Sequence, residues 1–151
     1  MSVEGDPLPT RTYLDSSVLI AIIEAEPDIA DKALRYVDDP DREIISSEAV
    51  RLEVYPRRLH DPEKSGQRQW LDKLFENAAQ IVTDFSERVW KRALDEATTY
   101  HMQPMDALHV AAALEAESEE FITAERPEKS LCRTKSIRVI SLRSRPVRKL
   151  H

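Results

Sequence analysis

The chain has 151 residues, 41% hydrophobic and 33% charged, a balance that suits one globular domain with a buried core and excludes a disordered chain. Its longest apolar stretch, residues 18–23, is far short of the roughly 20 residues that span a bilayer. The leader, residues 1–10, carries Glu4, Asp6, Pro7 and Pro9 and lacks the apolar run of a signal peptide, while the single cysteine, Cys132, excludes an internal disulfide and points to a reducing cytoplasm.

The net charge of -6 is unevenly spread. Seven basic residues and no acid lie from Arg133 onward, which leaves 15 basic against 28 acidic residues before it. Residues 143–151 therefore form a basic tail on an acidic body. Such a body disfavours tight nucleic-acid binding unless a metal bridges carboxylate and phosphate. Only Gly5 and Gly66 are glycines, so no glycine-rich phosphate loop exists. That excludes P-loop and dinucleotide-binding folds.

Residues 11–14 read as a short strand, after which Asp15 or Ser16 caps a helix to about Glu24. Pro27 breaks it, and residues 29–37 form a second helix with Ile29, Ala33, Leu34 and Val37 on one face. Residues 38–41 turn and residues 43–46 form a strand. Ser47 caps a helix to about Leu59, bent or ended near Pro56. After a loop over residues 60–66, residues 67–79 are helical, with Trp70, Leu71, Leu74 and Phe75 inward. Residues 81–83 form a strand. Asp84 with Glu87 reads as a capping box that opens a helix to Tyr100. Pro104 suits the first turn of a helix reaching about Ser118. Residues 121–123 form a strand, 126–133 a loop and 136–142 the last strand. This alternation predicts an α/β fold with a mainly parallel sheet covered by helices. Ligands in such folds bind beyond the carboxyl ends of the strands.

That rule selects four acids. Asp15 follows the first strand in apolar surroundings, where it serves either as a helix cap or as a site residue. Glu53 lies in the apolar run 49–55, facing either water or a polar centre. Asp106 opens the very apolar helix 104–114, where it could simply favour the helix dipole. Glu125 follows the strand 121–123, as a loop acid or a site acid. His109 reads as a partly buried helix histidine rather than a ligand. Two carboxylates about 4 Å apart repel by roughly 4 kcal/mol at an effective dielectric near 20, so four at one rim require a cation, a shared proton or a basic partner. Oxygen ligands favour magnesium or manganese, and such a centre suits phosphodiester hydrolysis.

These segments resemble the PIN-domain ribonuclease family. Tyr13-Leu14-Asp15-Ser16-Ser17-Val18-Leu19 resembles its opening motif, residues 47–53 its second, Met105-Asp106-Ala107-Leu108-His109-Val110-Ala111-Ala112-Ala113-Leu114 its third, and Phe121-Ile122-Thr123 with Glu125 its fourth. The resemblance covers residues 11–142, a PIN-like nuclease domain. It implies a three-layer α/β/α sandwich. It makes Asp15, Glu53 and Asp106 metal-binding acids, Glu125 a fourth catalytic acid in place of the usual aspartate, and Thr123 and Ser17 supporting polar groups. It further implies RNA cleavage with magnesium or manganese. Small single-domain bacterial members of the family are often VapC-type toxins of type II toxin–antitoxin pairs, blocked by a small antitoxin, and dimerisation is common in the family, so the resemblance implies an antitoxin partner and a homodimer. Arg57, Arg58, Arg126 and the tail arginines are the candidate phosphate contacts. The alternative is a PIN-fold binding module without turnover. A haloacid-dehalogenase-like phosphatase needs a second aspartate where Ser17 stands, and no Gly-x-Ser-x-Gly segment supports a serine hydrolase.

Overall fold

The computed structural model describes residue 5 and residues 7–143; the rest of the leader and residues 144–151 of the basic tail lie outside the described residues. Five strands, β1 (Thr10–Leu14), β2 (Arg42–Ser47), β3 (Gln80–Val82), β4 (Glu120–Thr123) and β5 (Arg138–Ser141), form one sheet in the order β3-β2-β1-β4-β5. Every pairing is parallel. The central strands are apolar on both faces, as a sheet covered on both sides requires: Tyr13, Leu14, Phe121 and Ile122 are all buried. Thr10 already pairs with Arg42, so β1 begins one residue inside the expected leader.

Six helices complete a three-layer α/β/α sandwich: α1 (Ser16–Ile23), α2 (Ile29–Val37), α3 (Glu48–His60), α4 (Ser65–Asn77), α5 (Glu87–Tyr100) and α6 (Pro104–Glu115). The chain steps from β1 to β2 to β3 in one direction through α1–α4. It then returns through α5 and α6 to insert β4 on the far side of β1. Right-handed crossovers therefore put α1–α4 on one face and α5 and α6 on the other. The connections diverge between β1 and β4, which opens a crevice at the carboxyl ends of those strands. Helix α6 backs that crevice with Ala107, Val110, Ala111, Ala112 and Ala113 buried.

Three local expectations differ from the structure. Helix α3 reaches His60, matching the expected limit near Leu59, and of the two expectations for Pro56, a bend or an end, the end does not occur. Its last turn is anchored by the buried Arg58, and that tertiary contact outweighs the missing backbone donor of the proline. The Asp84/Glu87 capping box does not form: Ser86 takes the cap position, so three residues on stands the buried Val89 and no glutamate. The loops at 60–66 and 126–133 each contain a 3-10 turn, Pro62–Lys64 and Ser130–Arg133.

Candidate active site

Asp15 is the first residue after β1 and occupies the cap position of α1, with φ -61° and ψ 150°, but its side chain caps nothing. The carboxylate is 3% exposed and turns into the crevice between β1 and β4. Ser17 Oγ and Thr123 Oγ1 donate to its Oδ2 at 3.0 and 2.9 Å, and Ser16 Oγ reaches Oδ1 at 3.4 Å. The two nearer hydroxyls are themselves oriented: Ala124 N–H donates to Ser17 Oγ at 3.0 Å and Glu125 N–H to Thr123 Oγ1 at 3.1 Å. Their protons are thereby aimed at Asp15, the arrangement that suits an anion. Both supporting polar residues expected from the sequence, Ser17 and Thr123, thus lie on Asp15.

Glu53 reaches the same place from α3. Its Oε1 accepts from Ser16 Oγ at 2.7 Å and meets His109 Nε2 in a close ion pair. His109 is 1% exposed and its Nε2 lies 3.8 Å from Asp15 Oδ1. Its Nδ1 is 2.8 Å from the hydroxyl of Tyr13, which is 2.8 Å from Ser47 Oγ. Burial alone would push the imidazole down, but the Glu53 hydrogen bond and the charges of Asp15, Glu53 and Asp106 outweigh it and raise its pKa above 6.5. The His109 hydrogen bond in turn holds Glu53 below the usual glutamate value, against the upward push of burial. Burial drives the Tyr13 phenol far up, so it remains a neutral donor. His109 is therefore fully buried and paired, a stronger role than the partly buried helix histidine expected from sequence.

Asp106 stands in the first turn of α6 and is buried. Its Oδ2 lies 3.3 Å from Lys129 Nζ, yet among the described residues no donor is aligned to give it a hydrogen bond. Lys129 Nζ is also 3.1 Å from Glu125 Oε1. Burial raises the Asp106 pKa; Lys129 works against this, while the charges of Asp15 and Glu125 add to it. The four acids thus form two pairs at one rim: Asp15 with Glu53 through Ser16 and His109, and Asp106 with Glu125 through Lys129.

The basic candidates divide differently. Arg126 is exposed and lines an open cleft of about 800 Å³ together with Ser17, Glu125, Lys129 and Arg143. Arg57 pairs with Glu24 at 3.6 Å. Arg58 corrects the expectation of a phosphate contact: it is 3% exposed, and its guanidinium donates to Gln67 and Glu24 inside the fold. Of the tail arginines, only Arg143 is described, and it pairs with Glu26 at 2.6 Å. Sequence reading missed Lys129, although it stands four residues after Glu125, a spacing that brings charges together on a helical turn. It also missed Ser16 and Tyr13.

The donor set fits a divalent ion. Asp15, Glu53 and His109 each present a ligand atom, all within 4.8 Å of one another. The carboxylate oxygens suit magnesium or manganese, whereas the His109 Nε2, held as a proton donor to Glu53, offers an ion a lone pair only in the neutral imidazole. Asp106 falls outside that trio, but its undonated Oδ2 leaves lone pairs open.

A family model for the PIN domain matches residues 12–127. The chain belongs to the PIN domain family. Solved structures share this PIN domain's fold at low identity. A chain of the VapBC2 complex from Rickettsia felis, bound to a promoter DNA fragment, superposes with TM-score 0.66 at 14% identity, covering 87% of this chain and 98% of that one. A toxin–antitoxin complex from Klebsiella pneumoniae gives 0.64 at 20%, covering 87% and 98%. VapBC-1 from nontypeable Haemophilus influenzae gives 0.64 at 14%, covering 88% and 98%. No curated protein matches by sequence. Among the described residues, no helix of this PIN domain is long and apolar enough to cross a membrane.

Proposed function

We propose that this PIN domain protein is a magnesium- or manganese-dependent endoribonuclease and the toxin of a type II toxin–antitoxin pair. The observation that carries the reading is the convergence of Asp15, Glu53, Asp106 and Glu125, from four separate elements, at the carboxyl rim of the sheet. Asp15, Glu53 and Asp106 would hold the ion, with His109 beside them. When bound, such an ion acidifies water and steadies charge developing on phosphate oxygens.

The chain's own groups have separate tasks. Ser17 and Thr123 lock the Asp15 carboxylate as an oriented anion. His109, held by Tyr13, keeps Glu53 ionised and turned toward Asp15. Glu125 stands at the edge of the cleft, where it can orient the attacking water. Arg126 is placed to meet the phosphate backbone of an RNA lying in the cleft. Water attack on phosphorus with departure of the 3′ oxygen gives a 3′-hydroxyl and a 5′-phosphate.

The toxin role draws on the fold shared with toxin–antitoxin complexes, and it brings a small antitoxin as partner and the cytoplasm as location. A homodimer is part of the same reading. Leu52 and Leu59 on α3 and Trp90 and Leu94 on α5 are exposed apolar side chains available for association.

The test is RNA cleavage by purified Asp15→Asn and Asp106→Asn proteins with magnesium present. Loss of cleavage in both folded variants is the expected result; full cleavage by both refutes the reading. One observation favours a second reading, a PIN-fold binding module without turnover: His109 and Lys129 already neutralise part of the acid cluster. Absence of manganese binding at millimolar concentration by the folded protein would favour that module.

A further inference from the structure

The acids at the rim are served unequally. Asp15 accepts from hydroxyls, and Glu53 accepts from Ser16 and His109. The Asp106 and Glu125 carboxylates share one cation, Lys129, whose Nζ lies 3.3 Å from Asp106 Oδ2 and 3.1 Å from Glu125 Oε1. The backbone that carries this side chain is held on both sides. Lys129 N–H donates to Arg126 carbonyl at 3.0 Å, and the Lys129 carbonyl accepts from Cys132 N–H at 2.9 Å at the start of the 3-10 turn. The lysine side chain is only 32% exposed. An ammonium has three donors and no acceptor, so it can satisfy carboxylates but cannot ligate a metal.

We propose that Lys129 is a resident cation that competes with the divalent ion for Asp106 and Glu125, so that metal binding at this rim is an exchange of one cation for another. This rests on the metal reading of the site given above. Two features support exchange over permanent pairing. The Asp106 contact is electrostatic without an aligned hydrogen bond, so its Oδ2 remains available to a second cation. Lys129 and Glu125 both line the open cleft, so the released ammonium has space to turn into. A divalent ion bound to Asp106 and the Lys129 charge would repel across a few ångströms, so Lys129 raises the metal concentration needed to fill the site. Lys129 is thus a positioning residue: it keeps two acids together and sets the metal requirement.

The test is manganese binding at low ionic strength, read from free Mn²⁺ by electron paramagnetic resonance, for the wild type, Lys129→Met and Lys129→Gln. Both variants are expected to bind manganese about tenfold tighter, while Arg133→Gln, which removes an exposed cation of the same turn, moves the affinity much less. In the wild type, adding manganese should speed acylation of Lys129 several-fold, mapped by mass spectrometry. Equal or weaker manganese binding by the folded Lys129 variants overturns the proposal, as does an unchanged Lys129 labelling rate. The labelling decides by itself if the variants do not fold. A wild type that binds no manganese overturns the metal reading and this proposal together. A wild type that binds it, with variants that bind it equally, removes only the role of Lys129.

Discussion

Replacing Tyr13 with phenylalanine isolates the hydroxyl that connects the central strand to the candidate site. Tyr13 is fully buried, and its ring stacks on Phe121 with centroids 5.2 Å apart, a contact phenylalanine retains. No cavity opens beyond the lost oxygen, so the cost is polar. Two hydrogen bonds disappear, to Ser47 Oγ and to His109 Nδ1, both at 2.8 Å. Ser47 Oγ keeps its bond from Val50 N–H at 3.3 Å, whereas Nδ1 of the buried His109 loses the one partner it has among the described residues. At about 1 kcal/mol for a hydrogen bond and about 1–3 kcal/mol for a buried group left bare, the expected loss is about 2–3 kcal/mol. For a chain of this length that lowers Tm by about 6–9 °C. Urea unfolding of the metal-free protein measures it. A loss below about 0.5 kcal/mol would show that the hydroxyl does not hold His109, and a loss well above 4 kcal/mol would point to collapsed packing rather than hydrogen bonding.

The His109–Glu53 pair predicts a stability window. The raised histidine contributes fully below its ordinary 6.5 and loses that contribution as pH climbs through its folded value; the lowered glutamate contributes above its ordinary 4.5 and fades as pH falls through its folded value. The destabilisation caused by Glu53→Gln, in chelator, should therefore be greatest between those two values, and a difference that does not change with pH would contradict the pairing. Arg58→Met should cost about 1–3 kcal/mol in urea unfolding and leave RNA affinity unchanged, because the guanidinium serves Gln67 and Glu24. Arg126→Ala should do the reverse, weakening RNA binding and lowering its salt slope by about one while stability holds; a matched effect of both arginines on binding would overturn this division.

The layered architecture is legible in the sequence because its signals are local. Helix α2 shows the point: Pro27 before it, the apolar spacing of Ile29 and Ala33 within it, and the turn after Val37 all mark its limits. Local signals also account for the failures. Asp84 and Glu87 have the spacing of a cap, but the helix register is chosen by the burial of Val89, which lies outside that motif. Pro56 looks like a stop until Arg58 is seen anchored to Glu24, a residue 34 positions away. At the site, Asp15 and Glu125 can be picked out as acids just after strands and Glu53 and Asp106 as acids in apolar helices, and the fold brings the four to one rim. Their basic partners cannot be picked out in that way. His109 meets Glu53 across 56 positions, so no spacing encodes the pair. Lys129 is readable only as far as Glu125; its approach to Asp106 depends on how α6 and the turn after β4 come together.

The strand order also has a consequence for synthesis. Because β4 slots in beside β1, the hydroxyl of Thr123 reaches Asp15 only after more than a hundred intervening residues have been made. A ribosome that has translated as far as α5 has released Asp15 and Glu53 but neither Asp106 nor Glu125. Pairing across so long a loop is also slow to form. The four acids of the rim can therefore meet only once the late-synthesised segments, α6 and the turn after β4, have docked against β1 and α3.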